Sequence, residues 1–70
     1  MRIGKNLIRY RFAKGWSQEA MARETGMSQS NYSRIESDKQ DAFPEQIEAF
    51  AQVLGISPTT LLLQFEKFLS

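Results

Sequence analysis

A chain of 70 residues with net charge +1, no histidine and no cysteine is one small domain with a modest core. Disulfides and thiolate metal sites are excluded, and the commonest general base and zinc ligand are missing, so no cofactor and no metal are expected. The charge is uneven: residues 1–40 hold eight Lys/Arg against four acids, residues 41–70 one against four, so the first part suits an anionic partner and the second does not.

The first predicted helix spans about 3–14, with Ile3, Leu7 and Tyr10 on one face at i, i+4, i+7 spacing. Ile8 and Phe12 sit four apart on a different face and are surplus to that stripe. Gly15 closes the helix, and Trp16 follows as an expected core plug. Ser17 stands in N-cap position for a second helix over about 18–25, which turns Met21 and Ala22 inward. Glu19 and Ala20 follow, so the reciprocal capping box, which needs an acid or amide at the third helical position, is absent.

Thr25-Gly26-Met27 is a short glycine-containing link, and Ser28 caps a third helix over about 29–36. Two short helices joined by such a turn have the pattern of a helix-turn-helix unit, here over about 17–36. In the third helix Tyr32 and Ile35 make the only inward ridge. Gln29, Ser30, Ser33 and Arg34 follow i, i+1, i+4, i+5 and share the opposite face. Such a face offers amide, hydroxyl and guanidinium groups: glutamine can pair with adenine, arginine with guanine, serine with either. An ordinary solvated helix surface has the same composition, so the face alone leaves both readings open.

Pro44 opens a fourth helix over about 44–54, with Ile47, Phe50, Ala51 and Leu54 in one stripe. Gly55 closes it. Ser57 and Pro58 then start a fifth helix over about 58–69, with Leu61, Leu62, Phe65, Phe68 and Leu69 on one face and Leu63 left over. No alternating strand pattern occurs. The fold expected is all-α, a single compact bundle of about five short helices over residues 1–70.

The segments "WSQEAMARETGMSQSNYSRIESDK" and "FAQVLGISPTTLL" resemble the helix-turn-helix of phage repressor and Cro-type regulators, the XRE-like family. The likeness runs from about Ile3 to Leu62 and includes Arg11 and Lys14 to Gln18. It implies a lambda-repressor-like DNA-binding fold and a cytoplasmic, nucleoid-associated transcriptional regulator of bacterial or phage type, with repressor as the expected class and activator left open. The third helix would lie in the major groove of double-stranded DNA, and a homodimer would read two half-sites. Carried onto this chain, the likeness puts Gln29, Ser30, Ser33 and Arg34 at base edges or the adjoining backbone. Gln18, Ser17, Ser28, Asn31 and Lys39 fall along the DNA backbone, and Arg11 and Glu36 match a structural ion pair that does not touch DNA.

The loop "SDKQDAFPEQ" departs from the family pattern. Asp38 stands where glycine is common, and aspartate tolerates the left-handed conformation. Asp41 and Glu45 place negative charge near the expected phosphate path, which weakens nonspecific affinity. Ile8 and Phe12, with Phe65, Phe68 and Leu69, form an apolar surface that either closes within one chain or pairs two subunits; dimerisation is the preferred reading.

An enzyme is not expected: the four glycines are scattered, and Glu45 and Glu48 are isolated surface acids at i, i+3. The alternative function is a protein-interaction module or antitoxin-like protein that binds a regulatory partner through its apolar surfaces. The opening "MRIGKNLIRYRFAKG" lacks the apolar run of a signal peptide, and no stretch has the length of a membrane span.

Overall fold

The structure is a computed structural model that describes residues 2–63. Among these residues it contains α1 (Gly4–Lys14), α2 (Gln18–Glu24), α3 (Gln29–Glu36), α4 (Pro44–Leu54) and α5 (Pro58–Leu62), and no strand. The helix starts follow the predicted caps. Ser17, Ser28 and Ser57 each accept a hydrogen bond from the backbone N–H three residues on, satisfying one donor that the first turn leaves open. At α4 the reciprocal half of such a cap operates: Gln46 Oε1 accepts from the Phe43 N–H at 2.8 Å.

Helix ends close by a shared device. After α1, Gly15 adopts φ 75°, and the N–H groups of Gly15 and Trp16 return to the carbonyls of Phe12 and Arg11. After α3 the same pair of bonds forms around Asp38, whose N–H reaches Ile35 O while the Lys39 N–H reaches Arg34 O. Asp38 is the only non-glycine at positive φ among the described residues, at 61°, as its place in the loop predicted. Its side chain also does something no local pattern shows: Oδ1 accepts from the Gly4 N–H at 3.0 Å, capping α1 from 34 residues away. Gly4 is needed at that junction. A Cβ there would run into the Glu36 carbonyl, so α1 could not start so close to the end of α3.

The core follows the predicted stripes, with Ala42 added and Leu62 only half-buried. Leu7, Met21, Tyr32, Ile35, Phe50 and Leu61 are fully buried, and Ile3, Ala22, Ala42, Ile47, Ala51 and Leu54 complete the cluster. Each large side chain contributes about 1.5–3 kcal/mol by leaving water. Tyr32 meets Phe50 edge-on, with ring centroids 5.7 Å apart, which joins α3 to α4. Tyr10 and Trp16 differ from the expectation: both are half-buried and pack against the core from its edge. Lys14 Nζ lies 5.1 Å above the Trp16 ring and covers its outer side.

Three boundaries also differ. The first helix starts at Gly4, with Ile3 as its N-cap. The second stops at Glu24, with Thr25 as its C-cap, because Gly26 turns to φ 70° and the N–H groups of Gly26 and Met27 return to the carbonyls of Arg23 and Ala22. The third boundary is that of the fifth helix, predicted over about 58–69, of which 64–69 lie outside the described residues. It ends at Leu62, and Leu63 is extended at φ −70° and ψ 137°. Buried Asn6 of α1 explains the stop: its Nδ2 donates to the carbonyls of Leu61 and Leu63, at 2.7 and 2.5 Å. Phe65, Phe68 and Leu69 lie outside the described residues. No helix among the described residues is long and apolar enough to cross a membrane.

Candidate nucleic-acid interface

The α2-turn-α3 unit is built from one side inward and from the other side outward. Met21 and Ala22 hold α2 to the core, Tyr32 and Ile35 hold α3, and half-buried Met27 packs beneath the turn between them. The Met27 N–H closes α2 on the Ala22 carbonyl at 2.9 Å, so the turn is fixed by its own backbone. What remains outside is Gln29, Ser30, Asn31 and Arg34, all exposed, with Ser33 half-buried beside them. Their side chains make no hydrogen bond or ion pair with any described residue. Donors and acceptors on a rigid helix with no internal partner are free to meet an external one.

Ser17 and Ser28 are exposed, but their hydroxyl oxygens accept from Ala20 N and Asn31 N at 3.0 and 3.2 Å. Each hydroxyl proton is still available to a phosphate oxygen. Lys39 is exposed directly after the α3 closure. Of the two acids expected to oppose a phosphate there, Asp41 pairs with the Arg2 guanidinium at 3.2 Å, and Glu45 is exposed in the first turn of α4. The Asp41 charge is therefore partly matched within the chain.

Behind the face lies a buried polar cluster. Arg11 is 8% exposed and Glu36 4%, and they form the predicted ion pair: Nε donates to Oε2 at 2.5 Å and Nη2 to Oε1 at 3.1 Å. Arg11 Nη1 also donates to the Trp16 carbonyl at 2.8 Å. Two members were not foreseen as such. The Tyr32 hydroxyl donates to Glu36 Oε2 at 2.5 Å, and Gln18 Nε2 donates to Oε1 at 2.9 Å. The tyrosine was legible, since Tyr32 and Glu36 are i, i+4 on one helix. Burial by itself would raise the Glu36 carboxyl, but hydrogen bonds from Arg11, Tyr32 and Gln18 outweigh it and hold the group below the ordinary carboxylate range. Burial and then the Glu36 bond push the Tyr32 phenol well above its ordinary range. The Glu36 bond likewise raises Arg11, against the opposing effect of burial.

Two exposed aromatic residues lie outside α2 and α3. Phe12 is 66% exposed, with the Arg11 guanidinium 4.8 Å above its ring, and Ile8 beside it is half-buried. Phe43, which sequence reasoning passed over, is 60% exposed at the N-cap of α4. A groove of about 340 Å³ lies between α4 and α5, lined by Ala42, Pro44, Ile47, Glu48, Pro58 and Leu62. The described residues hold no cluster of three or more acids, histidines or cysteines that could bind a metal ion.

Residues 2–63 match the model of a family described as a helix-turn-helix domain. A transcription factor termed hypothetical, from Neisseria meningitidis serogroup B, is 36% identical over 61 residues, 87% of this chain. The chain spans 58% of that curated relative's length. The crystal structure of a hypothetical transcription factor from Neisseria superposes with a TM-score of 0.88 at 33% identity, over 96% of this chain and 77% of that one. SinR, the master regulator for biofilm formation, has been solved in complex with DNA. It superposes at 0.81 with 34% identity, over 87% of this chain and 98% of that one. A SinR–SinI complex superposes at 0.82 with 33% identity, over 97% of this chain and 67% of that one.

Proposed function

This chain belongs to the helix-turn-helix domain family, and we propose that it is a sequence-specific double-stranded DNA-binding transcriptional regulator. One observation carries the reading. The outer face of α3 presents Gln29, Ser30, Ser33 and Arg34 without internal partners, while Tyr32, Ile35 and Glu36 hold the helix from behind. Likeness to SinR, solved on DNA over a matching stretch, supports the same reading.

In this reading α3 lies in the major groove. Gln29 and Arg34 carry most of the base readout, and Ser30 and Ser33 assist. Gln18, Ser17, Ser28, Asn31 and Lys39 set the register on phosphates, which carries no sequence information by itself. The excess of Lys and Arg in residues 1–40 supplies the long-range attraction. Two copies related by a two-fold axis would place two α3 helices on a symmetric operator, with Ile8, Phe12, Phe65, Phe68 and Leu69 as the pairing surface. The test is selection of randomised duplex DNA by the purified protein, beside a Gln29→Ala/Arg34→Ala variant, at near-physiological salt. Enrichment of a two-fold symmetric motif by the native protein alone is the expected result. No enriched motif from a folded protein would remove the specific-regulator reading.

A second reading, binding of a regulatory protein, draws on the exposed Phe12 and Phe43 and on the likeness to SinR solved with SinI. The two readings separate by mutation. If Gln29→Ala/Arg34→Ala abolishes regulation and Phe12→Ala spares it, DNA reading is the core activity; the reverse pattern would favour the protein partner.

A further inference from the structure

The Glu36 carboxylate accepts four hydrogen bonds. Arg11 Nε and the Tyr32 hydroxyl donate to Oε2; Arg11 Nη2 and Gln18 Nε2 donate to Oε1. The first three are enough to hold the acid: its charge is matched by a two-pronged guanidinium, and a phenol adds a third donor. The fourth, from Gln18, adds to that support from outside α1 and α3. It links the last residue of α3 to the first residue of α2, across the whole helix-turn-helix unit.

This bond has a consequence for Gln18. A glutamine amide beside a carboxylate has two orientations. With its oxygen inward, two acceptors oppose each other; with its nitrogen inward, a charge-assisted hydrogen bond forms. The 2.9 Å contact is the second case. Glu36 thus selects which end of the amide turns inward, and it takes one of the two Nε2 hydrogens. Gln18 is half-buried, so the remaining N–H is the donor that this side chain has left for an outside ligand.

We propose that Glu36 is a positioning residue for Gln18: by holding one N–H of the amide, it aims the other at the DNA phosphate that runs past the start of α2. The acid itself never touches DNA. The proposal rests on the DNA-binding reading above, and it makes the buried ion pair part of the interface as well as a strut between α1 and α3.

A double-mutant cycle on the full chain tests it, with a random-sequence duplex at low salt as the probe. Arg11→Met/Glu36→Met removes the pair as a unit and leaves no buried unpaired charge. In the native protein Gln18→Ala weakens binding by about tenfold, the size of one good hydrogen bond. In the Arg11→Met/Glu36→Met background the same change costs less than about twofold, because the amide is no longer aimed. A merely structural role for Glu36 would instead leave the Gln18→Ala effect the same in both backgrounds, and that result would overturn the proposal. No effect of Gln18→Ala in the native protein would overturn it too, with the DNA reading intact. Failure of the native protein to bind any duplex removes both.

If the apolar pair does not fold, side-chain amide resonances of the native protein decide. The two Gln18 Nε2 protons should differ from those of exposed Gln52 before DNA is added. Adding duplex should then move only one of them. Movement of both would mean that the amide leaves Glu36 on binding, which sinks the proposal.

Discussion

On the inner side of α3, Tyr32 and Glu36 end in a hydroxyl and a carboxylate that are both paired inside the fold. On the outer side, Gln29, Ser30 and Arg34 end in an amide, a hydroxyl and a guanidinium with no partner among the described residues. Eight residues of helix thus treat polar atoms in two opposite ways. The inner groups have left water and are costly to disturb, because each depends on a buried partner: Glu36 for the Tyr32 hydroxyl, and Arg11 of α1 for Glu36. The outer groups remain solvated, so they add little to stability and are available for recognition. One helix is at once a structural element and a reading surface: the outer face holds the unpartnered groups, and the inner face holds the helix in place and, through Glu36, the Gln18 amide.

The sharpest way to break that comparison is to truncate both faces. Glu36→Ala leaves the buried Arg11 guanidinium without the carboxylate that matches its charge and should cost about 3–5 kcal/mol of unfolding free energy in a urea titration. Arg34→Ala should stay within about 0.5 kcal/mol in the same titration. Similar losses at the two sites would mean that the faces are not distinct.

Base preference, by contrast, depends on the outer face. Arg34→Ala or Gln29→Ala should each lose roughly 1–3 kcal/mol of affinity for the selected site and relax preference at one base position. Unchanged preference by competition with single-base variants of the site would remove these two from the base-reading set.

Next in size is the hydroxyl of Tyr32. Tyr32→Phe should cost about 1–2 kcal/mol, since Glu36 keeps its bonds from Arg11 and Gln18. The pH dependence follows from the two shifted groups. Glu36 has a lowered native carboxyl, so its contribution is full above its ordinary value of 4.5 and is lost as pH falls through the lower native value. Tyr32 has a raised phenol, so its contribution is full below 10.0 and is lost only as pH rises through the higher native value. Unfolding free energy measured against pH should show the acid fall in both proteins and the alkaline fall only in the native one.

The smallest effect belongs to Lys39. Lys39→Ala should weaken binding evenly across sequences and reduce the salt slope by about one, with stability unchanged. A change in base preference would move Lys39 from the phosphate set to the reading face.

Much of this molecule was legible from spacing. The α3 and α4 bounds, the serine caps and the Ile47-Phe50-Ala51-Leu54 stripe depend on residues within one or two turns of each other. The Arg11–Glu36 pair came from the family likeness, not from any local pattern. The unpartnered set Gln29, Ser30 and Arg34 was legible because polarity opposite a buried ridge is itself a helical pattern. Asn6, by contrast, reads as an ordinary polar residue on the first helix, yet its amide decides where α5 stops. Phe43 reads as another apolar residue before a proline, yet it stays on the surface.

The sequence by itself determined five helical segments, the turn between α2 and α3, and the face that α3 would turn outward. These follow from caps, closing residues and 3.6-residue periodicity, which act over a few neighbours. Only the tertiary structure decided that Gln18 would bind Glu36, that Asp38 would cap α1, and that α5 would end at Leu62 on Asn6. Those bonds join residues 18, 34 and 55 positions apart. A side chain finds such a partner only after the helices have packed, when burial makes an unpaired polar atom costly and brings donor and acceptor within reach.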